Sequence, residues 1–291
     1  MSKTDFPIKV IIGKDGYVGQ ELTSFLKSKN QAFLATSRKN EMGTVFLDIR
    51  DASTFFFQKI PSNSLIYLLA SISSPDICEK KVDFAKSVNI DATTTLIENC
   101  LLCGHRVCFS SSDAVFGGND TVCFDNTDAK PLGKYGEMKL EIENKFEKYA
   151  NFKSVRFSYI LSGKDKFTNY LKECLAKKET AELYDPFLRS VVGLNDVVEG
   201  LASLDRYWES MPNKINFCGP QVVSREDIAK TFIEVSEKNL SYKVTRPKEE
   251  FFKTRARIIE MRSNYFPSLL GRRPSSLKEI YELSLNMETL K

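Results

Sequence analysis

The chain has 291 residues, 42% hydrophobic and 27% charged, a balance ordinary for a globular protein and enough for one large α/β unit or a nucleotide domain with a smaller lobe. A formal charge of +4 is too small to argue for a nucleic-acid partner, and the longest apolar run, "LIYLLASI", is too short to span a bilayer. "MSKTDFPIKV" lacks the apolar core of a signal peptide, and seven irregularly spaced cysteines read as reduced, buried small residues, so a cytoplasmic protein is expected.

The first run, "IKVII" (Ile8–Ile12), reads as a buried strand and "YVGQELTSFLKSKN" as the helix after it. Between them Gly13, Gly16 and Gly19 give a G-x-x-G-x-x-G turn. Three such glycines permit a tight turn, close approach of backbone to a pyrophosphate and close helix–strand packing. The helix N-terminus beyond them offers N–H donors to phosphate, and Tyr17 and Val18 belong to the same cofactor-binding turn.

The next strand, "AFLAT", runs into "ATSRKN". A site selecting NAD commonly carries an acid about 20 residues past the glycines, for the ribose hydroxyls. Here Ser37 and Arg38 stand instead, with Thr36 and Lys39 beside them, a set suited to a 2′-phosphate. NADP(H) is therefore the expected cofactor, with NAD(H) the alternative.

"TVFL" and "LIYLLA" are further strands, Val82 to Leu102 has helical spacing, and "RVCFSS" returns to strand. Strands apolar throughout and alternating with helices predict a Rossmann-type α/β fold, with a doubly wound parallel sheet covered on both faces. Ser110–Ser112 then reach the carboxyl end of the sheet, where ligands bind in such folds. Cys100, Cys103, His105 and Cys108 have a tempting zinc spacing. They straddle a helix-to-strand connection and cannot converge without dismantling the sheet, so no metal site is expected.

After Pro131 and Gly133 a long helix begins, and it sets Tyr135 and Lys139 four apart on one face near its start. A second Tyr-x-x-x-Lys match, Tyr149 with Lys153, ends that helix and enters the strand "NFKSVRF". Context therefore separates the two matches, and only the first pair sits near the start of a helix that follows the serine strand.

Beyond about residue 160 the order changes. "KFTNYLKECLAKKE" is helical, "RSVVGLNDVVEGLASL" reads strand into helix, and Ser224 with Asp227 resembles an N-cap arrangement before another helix. The loose basic group from Lys243 to Arg262 reads as a solvated face. The expected organisation is a cofactor domain over residues 1–160 and a smaller α/β substrate lobe over 161–291, with some of its segments returning to the sheet.

These pieces together resemble the extended short-chain dehydrogenase/reductases, and within them the dTDP-4-dehydrorhamnose reductase group. The likeness rests on the glycine turn, "LDIRD", "SSDAVF", "YGEMK", "INFCGPQVVS" and "LLGRRP", and spans nearly the whole chain. It implies Ser112, Tyr135 and Lys139 as catalytic residues. It also implies Asp48 and Ile49 near the adenine, Leu69, Ala70 and Ser71 along the cofactor, and Asn89 near the active-site helix. Lys139 would hold the nicotinamide ribose and, with the oxidised nicotinamide, lower the Tyr135 pKa.

Ser112 and Asp113 face the substrate in this reading. Arg189 either pairs with a substrate phosphate or anchors Asp185 or Asp196. The implied activity is NADPH-dependent reduction of a nucleotide-activated 4-keto-6-deoxy sugar. An epimerase or dehydratase that keeps NAD bound, and an NADP-binding regulatory subunit, are the alternatives. A homodimer through helices 82–102 and 135–150 is possible on the same resemblance.

Overall fold

Short β-branched and apolar runs build a seven-stranded parallel sheet in the computed structural model, which describes residues 7–39, 41–54 and 57–289. Its first six strands are β1 (Lys9–Ile12), β2 (Phe33–Ser37), β3 (Val45–Phe46), β4 (Leu65–Leu68), β5 (Arg106–Ser112) and β6 (Phe152–Phe157). The second half adds β7 (Ile160–Leu161), β8 (Ala181–Tyr184), β9 (Leu188–Arg189), β10 (Val192–Gly193), β11 (Lys214–Phe217), β12 (Tyr242–Thr245) and β13 (Ile258–Ile259). The sheet runs β11-β6-β5-β4-β1-β2-β3. This is a doubly wound order that reverses between β1 and β4 and opens a ligand crevice at the carboxyl ends.

β4 and β6 are buried at every residue, as strands covered on both faces must be. The helices of the first half are α1 (Tyr17–Ser28), α2 (Pro75–Lys80), α3 (Val82–Lys86), α4 (Thr93–Leu102) and α5 (Lys134–Phe146). Those of the second are α6 (Lys166–Lys177), α7 (Leu194–Tyr207), α8 (Arg225–Ser236), α9 (Glu249–Phe252), α10 (Phe266–Leu270) and α11 (Leu277–Thr289). α1 and α7 bury Leu22, Leu26, Val197 and Leu201 against one face of the sheet. α4 and α5 bury Leu96, Ile97, Ile142 and Phe146 against the other. Each such apolar side chain contributes about 1.5–3 kcal/mol on burial. The second half thus supplies α7 and the edge strand β11 to the first half's sheet.

The remaining second-half segments form a lobe with its own core of Leu171, Leu183, Ile228, Phe232 and Tyr281. Ser224 caps α8 there, its hydroxyl accepting from the Asp227 N–H at 3.1 Å while Asp227 accepts from the Ser224 N–H at 2.8 Å. This reciprocal cap is worth about 1 kcal/mol.

One difference from the expected helix over 82–102 bears on the cleft. Residues Ser87–Ala92 form a π-helical turn between α3 and α4, with the Thr93 hydroxyl donating to the Val88 carbonyl five residues back. Asn89 lies in this turn, and its side chain both accepts from the Ile72 N–H and donates to the Ile72 carbonyl, at 2.9 and 3.0 Å. Those two bonds fix the loop leaving β4 and hold the helix in its widened form.

Candidate active site

The carboxyl ends of the strands border a cleft of about 910 Å³, and its floor begins at the glycine turn. Gly13 has φ +99°, and a Cβ there would lie 2.7 Å from the Ala70 nitrogen. At Gly19 a Cβ would sit 2.2 Å from the Gly13 carbonyl oxygen, so only glycine lets α1 start this close to β1. No side chain caps α1 and no acid stands in its first turn, which leaves its N–H groups and positive end facing the cleft. Gly16, Tyr17 and Val18 line the same floor. The Tyr17 hydroxyl lies 2.7 Å from that of Ser162 and ties the turn to the lobe.

At one end of the cleft lie Ser37 and Arg38, at and just past the end of β2, with Asp48 and Ile49, and along its length Leu69, Ala70 and Ser71. Two neighbours were not anticipated. Asp15, inside the glycine turn, accepts a 2.5 Å hydrogen bond from the Ser37 hydroxyl, and that bond first of all pulls its carboxyl below the ordinary range. Arg50 grips Asp48 with Nε and Nη2, which holds the Asp48 pKa at about 2. Among the described residues no carboxylate pairs with Arg38.

β5 delivers Ser112 to the opposite end. Its hydroxyl donates to Asp113 Oδ1 at 3.0 Å and accepts from the Ala114 N–H at 3.2 Å. α5 can lie against this turn because Gly136 has no side chain: a Cβ there would sit 2.4 Å from the Ala114 carbonyl oxygen. The helix thereby brings Tyr135 to the cleft wall beside Ser112 and Asp113.

Lys139 and Asn89 do not line the cleft; they lie behind it. Lys139 is 2% exposed, donates to the Ser110 carbonyl at 2.7 Å, and has Nζ 4.6 Å from the centre of the Phe109 ring and 5.7 Å from that of Tyr135. Burial brings its pKa down to about 7, with Cys78 and Glu143 opposing. The chain's own groups act against the lowering of the Tyr135 pKa that Lys139 and a bound oxidised nicotinamide are expected to bring. Burial pushes the phenol well above its ordinary value and the Asp113 charge adds to the rise, while Ser112 draws it down. Enclosure dominates because a phenolate in a low-dielectric wall loses its solvation.

Arg189 also requires correction. Its anchor is neither Asp185 nor Asp196, since Asp196 pairs with Arg272 at 2.8 Å and bonds Ser275. The Arg189 Nε lies 3.4 Å from Asp113 Oδ2 instead. Burial lowers the Arg189 pKa to about 10, the Asp113 charge partly restoring it. Burial raises that of Asp113, with Arg189 and Ser112 opposing. The supposed solvated basic stretch contributes Arg255, which lines the cleft and reaches Asp76 at 2.6 Å. Arg225 and Phe187, absent from the sequence reading of the site, complete the lobe wall.

The cysteines are all free, with Cys103 half-buried and the rest buried. His105 Nε2 contacts the Phe57 carbonyl, and among the described residues no three His, Cys, Asp or Glu side chains form a metal-sized group. Nor is any described helix long and apolar enough to cross a membrane.

A family model described as the RmlD substrate binding domain matches residues 9–254. A hypothetical dTDP-4-dehydrorhamnose reductase from Sulfolobus tokodaii superposes with a TM-score of 0.80 at 19% identity, over 94% of this chain and 98% of its own. The UDP-glucose 4-epimerase of Stenotrophomonas maltophila, with bound NAD and formylated UDP-arabinopyranose, gives 0.81 at 14% identity, over 98% and 100%. D-erythronate dehydrogenase of Cupriavidus necator is 39% identical over 77 residues, which is 25% of this chain and about a quarter (24%) of that relative's length.

Proposed function

The chain belongs to the RmlD substrate binding domain family, among the extended short-chain dehydrogenase/reductases, and from that premise we propose that it reduces a nucleotide-activated 4-keto-6-deoxy sugar with NADPH. The observation that carries this reading is Tyr135 on the cleft wall beside Ser112 and Asp113, with buried Lys139 directly behind it.

The cleft fits a dinucleotide. The Gly13–Gly19 cradle leaves no room for side chains, and the uncapped start of α1 offers donors to a pyrophosphate. Gly13, Gly16, Tyr17, Val18 and Gly19 would hold that pyrophosphate. Asp48 and Ile49 would take the adenine, Leu69, Ala70 and Ser71 the length of the cofactor, and Asn89 would keep the β4 loop in place behind it. Bound there, NADPH supplies the hydride. Proton delivery then falls to the chain. Tyr135, held above its ordinary pKa, keeps its proton at neutral pH and donates it from Oη to the substrate oxygen as negative charge develops there. Ser112 donates to that same oxygen once its hydroxyl turns from Asp113. Lys139, packed under the phenol, supports it by charge and would take the ribose hydroxyls on leaving the Ser110 carbonyl. Arg189 faces the substrate phosphate.

A second cofactor reading, NAD(H), is favoured by the Asp15–Ser37 bond. A carboxylate beside the end of β2 suits a free ribose hydroxyl and opposes a 2′-phosphate, whereas Arg38 suits the phosphate. Replacing Arg38 by Ala raises the KM for NADPH with that for NADH unchanged if the phosphate reading holds. The function is tested by NADPH and NADH oxidation over a panel of dTDP-, UDP-, GDP- and CDP-linked 4-keto-6-deoxy sugars. Turnover with one of them supports the reductase, and no turnover with any overturns it.

A further inference from the structure

Two guanidinium groups meet at the lobe wall of the cleft around a single aromatic ring. Arg189 on β9 and Arg225 at the start of α8 lie 4.1 and 5.2 Å from the centre of Phe187, and both line the cleft. Their surroundings differ. Arg189 has Asp113 at 3.4 Å and donates to the Leu188 and Ala256 carbonyls at 2.7 and 2.9 Å. Arg225 is boxed by Tyr159 and Phe167, 4.3 and 4.2 Å from their ring centres. Its Nη1 is buried with no hydrogen-bond partner, and among the described residues no carboxylate pairs with it.

Stacking on aromatic faces offsets part of the cost of burying the charge, but a buried N–H without an acceptor stays uncompensated. The second cation nearby adds repulsion, and of the two lobe-side carboxylates Asp113 lies against Arg189 while Asp165 accepts from the Tyr159 hydroxyl. The group that would complete this arrangement is an anion entering from the cleft.

We propose that Arg225 is a second anion-recognising residue of the substrate site, closing with Arg189 on an anionic oxygen group of the substrate across the Phe187 ring. The identity of that group rests on the function proposed above: in a nucleotide sugar it is the diphosphate, whereas in a free sugar acid it is the carboxylate. Arg225 is a specificity residue in this scheme and takes no part in the proton transfer at Tyr135. The rings hold its charge in place, so that the anionic end of the substrate is fixed while the ketone lies at the opposite wall.

Equilibrium binding to the cofactor-loaded protein tests this without requiring turnover. The probes are UDP, dTDP and a four-carbon aldonate, measured on the wild type, Arg225→Met and Arg225→Lys, with thermal midpoints and NADPH affinity recorded alongside. The expected result is that one probe binds the wild type and binds Arg225→Met at least about tenfold more weakly. Arg225→Lys should recover part of the loss, with NADPH affinity unchanged. A purely structural role would lower the midpoint and the cofactor affinity together, and charge would not rescue it.

Loss confined to the aldonate would support Arg225 while overturning the nucleotide assignment. Binding of every probe to Arg225→Met as tightly as to the wild type would overturn the proposal, as would a wild type that binds none of them. Because binding is read separately from turnover, an inactive panel of keto sugars with intact, Arg225-dependent binding would sink the reductase reading alone.

Discussion

The molecule contains the same four-residue spacing twice, and the two copies sit in similar lysine environments. Lys139 is buried, donates to a backbone carbonyl at 2.7 Å, and lies over Phe109. Lys153 is buried, donates to the Met211 carbonyl at 2.6 Å, and has its Nζ 5.0 Å from the centre of the Trp208 ring. Burial lowers both pKa values. The tyrosines separate them. Tyr135 stands on the cleft wall beside Ser112, at the carboxyl end of β5, whereas Tyr149 follows α5 and is 51% exposed. A desolvated lysine over an aromatic ring is thus a feature of this sheet in general. What marks a candidate site is the tyrosine that shares a cleft with a serine and a dinucleotide-sized turn.

The largest expected effect breaks the comparison at its tyrosines. Tyr135→Phe should lower kcat by about 10²–10⁴-fold, the range for loss of a general acid, with folding intact by circular dichroism. The next change falls between the two pairs. Glu143, one turn beyond Lys139, forms a fully buried ion pair with Arg156 of β6 at 2.6 Å, and Arg156 also donates to the Asp125 carbonyl. Glu143→Ala leaves that guanidinium buried and unpaired, so urea unfolding should show a loss of about 3–5 kcal/mol.

The lysines themselves sharpen the contrast. A lysine whose folded pKa lies below its unfolded value binds fewer protons when folded, so stability rises with pH through the interval between the two. For Lys139 that interval runs from about 7 to 10.5. Lys139→Met should flatten the rise in thermal midpoint over that range and also lower kcat/KM by roughly tenfold or more, as loss of a supporting cation in a water-excluded site does. Lys153→Met should flatten the rise too, while kcat/KM stays at the wild-type value. The smallest effect belongs to the exposed tyrosine: Tyr149→Phe should leave activity unchanged and stability within about 0.5 kcal/mol.

The sheet was legible because its strands are buried on both faces and announce themselves as apolar runs, and the glycine turn because it joins the first strand to the first helix. Tyr135 was distinguishable from Tyr149 by the helix start at Gly133. Long-range placement was hidden. The acid at the cofactor end, Asp15, is meaningful only because Ser37 lies 22 residues away in sequence and 2.5 Å away in space. The anchor of Arg189 is Asp113, far earlier in the chain, and local spacing carries no trace of that pairing. Arg225 follows a capping serine and reads as an ordinary first-turn residue until Tyr159, Phe167 and Phe187 converge on it. The direction of the Tyr135 pKa shift was hidden for the same reason, since it depends on enclosure rather than on neighbours in sequence.

Deuterium transfer from C4-labelled NADPH to the accepted keto sugar, read by mass spectrometry of the product, is the most direct test of the reductase. One deuterium per NADPH oxidised, appearing on the sugar and abolished by Tyr135→Phe, is the predicted result. An unlabelled product, with NAD held tightly and recycled inside the protein, would contradict it and identify an epimerase or dehydratase instead.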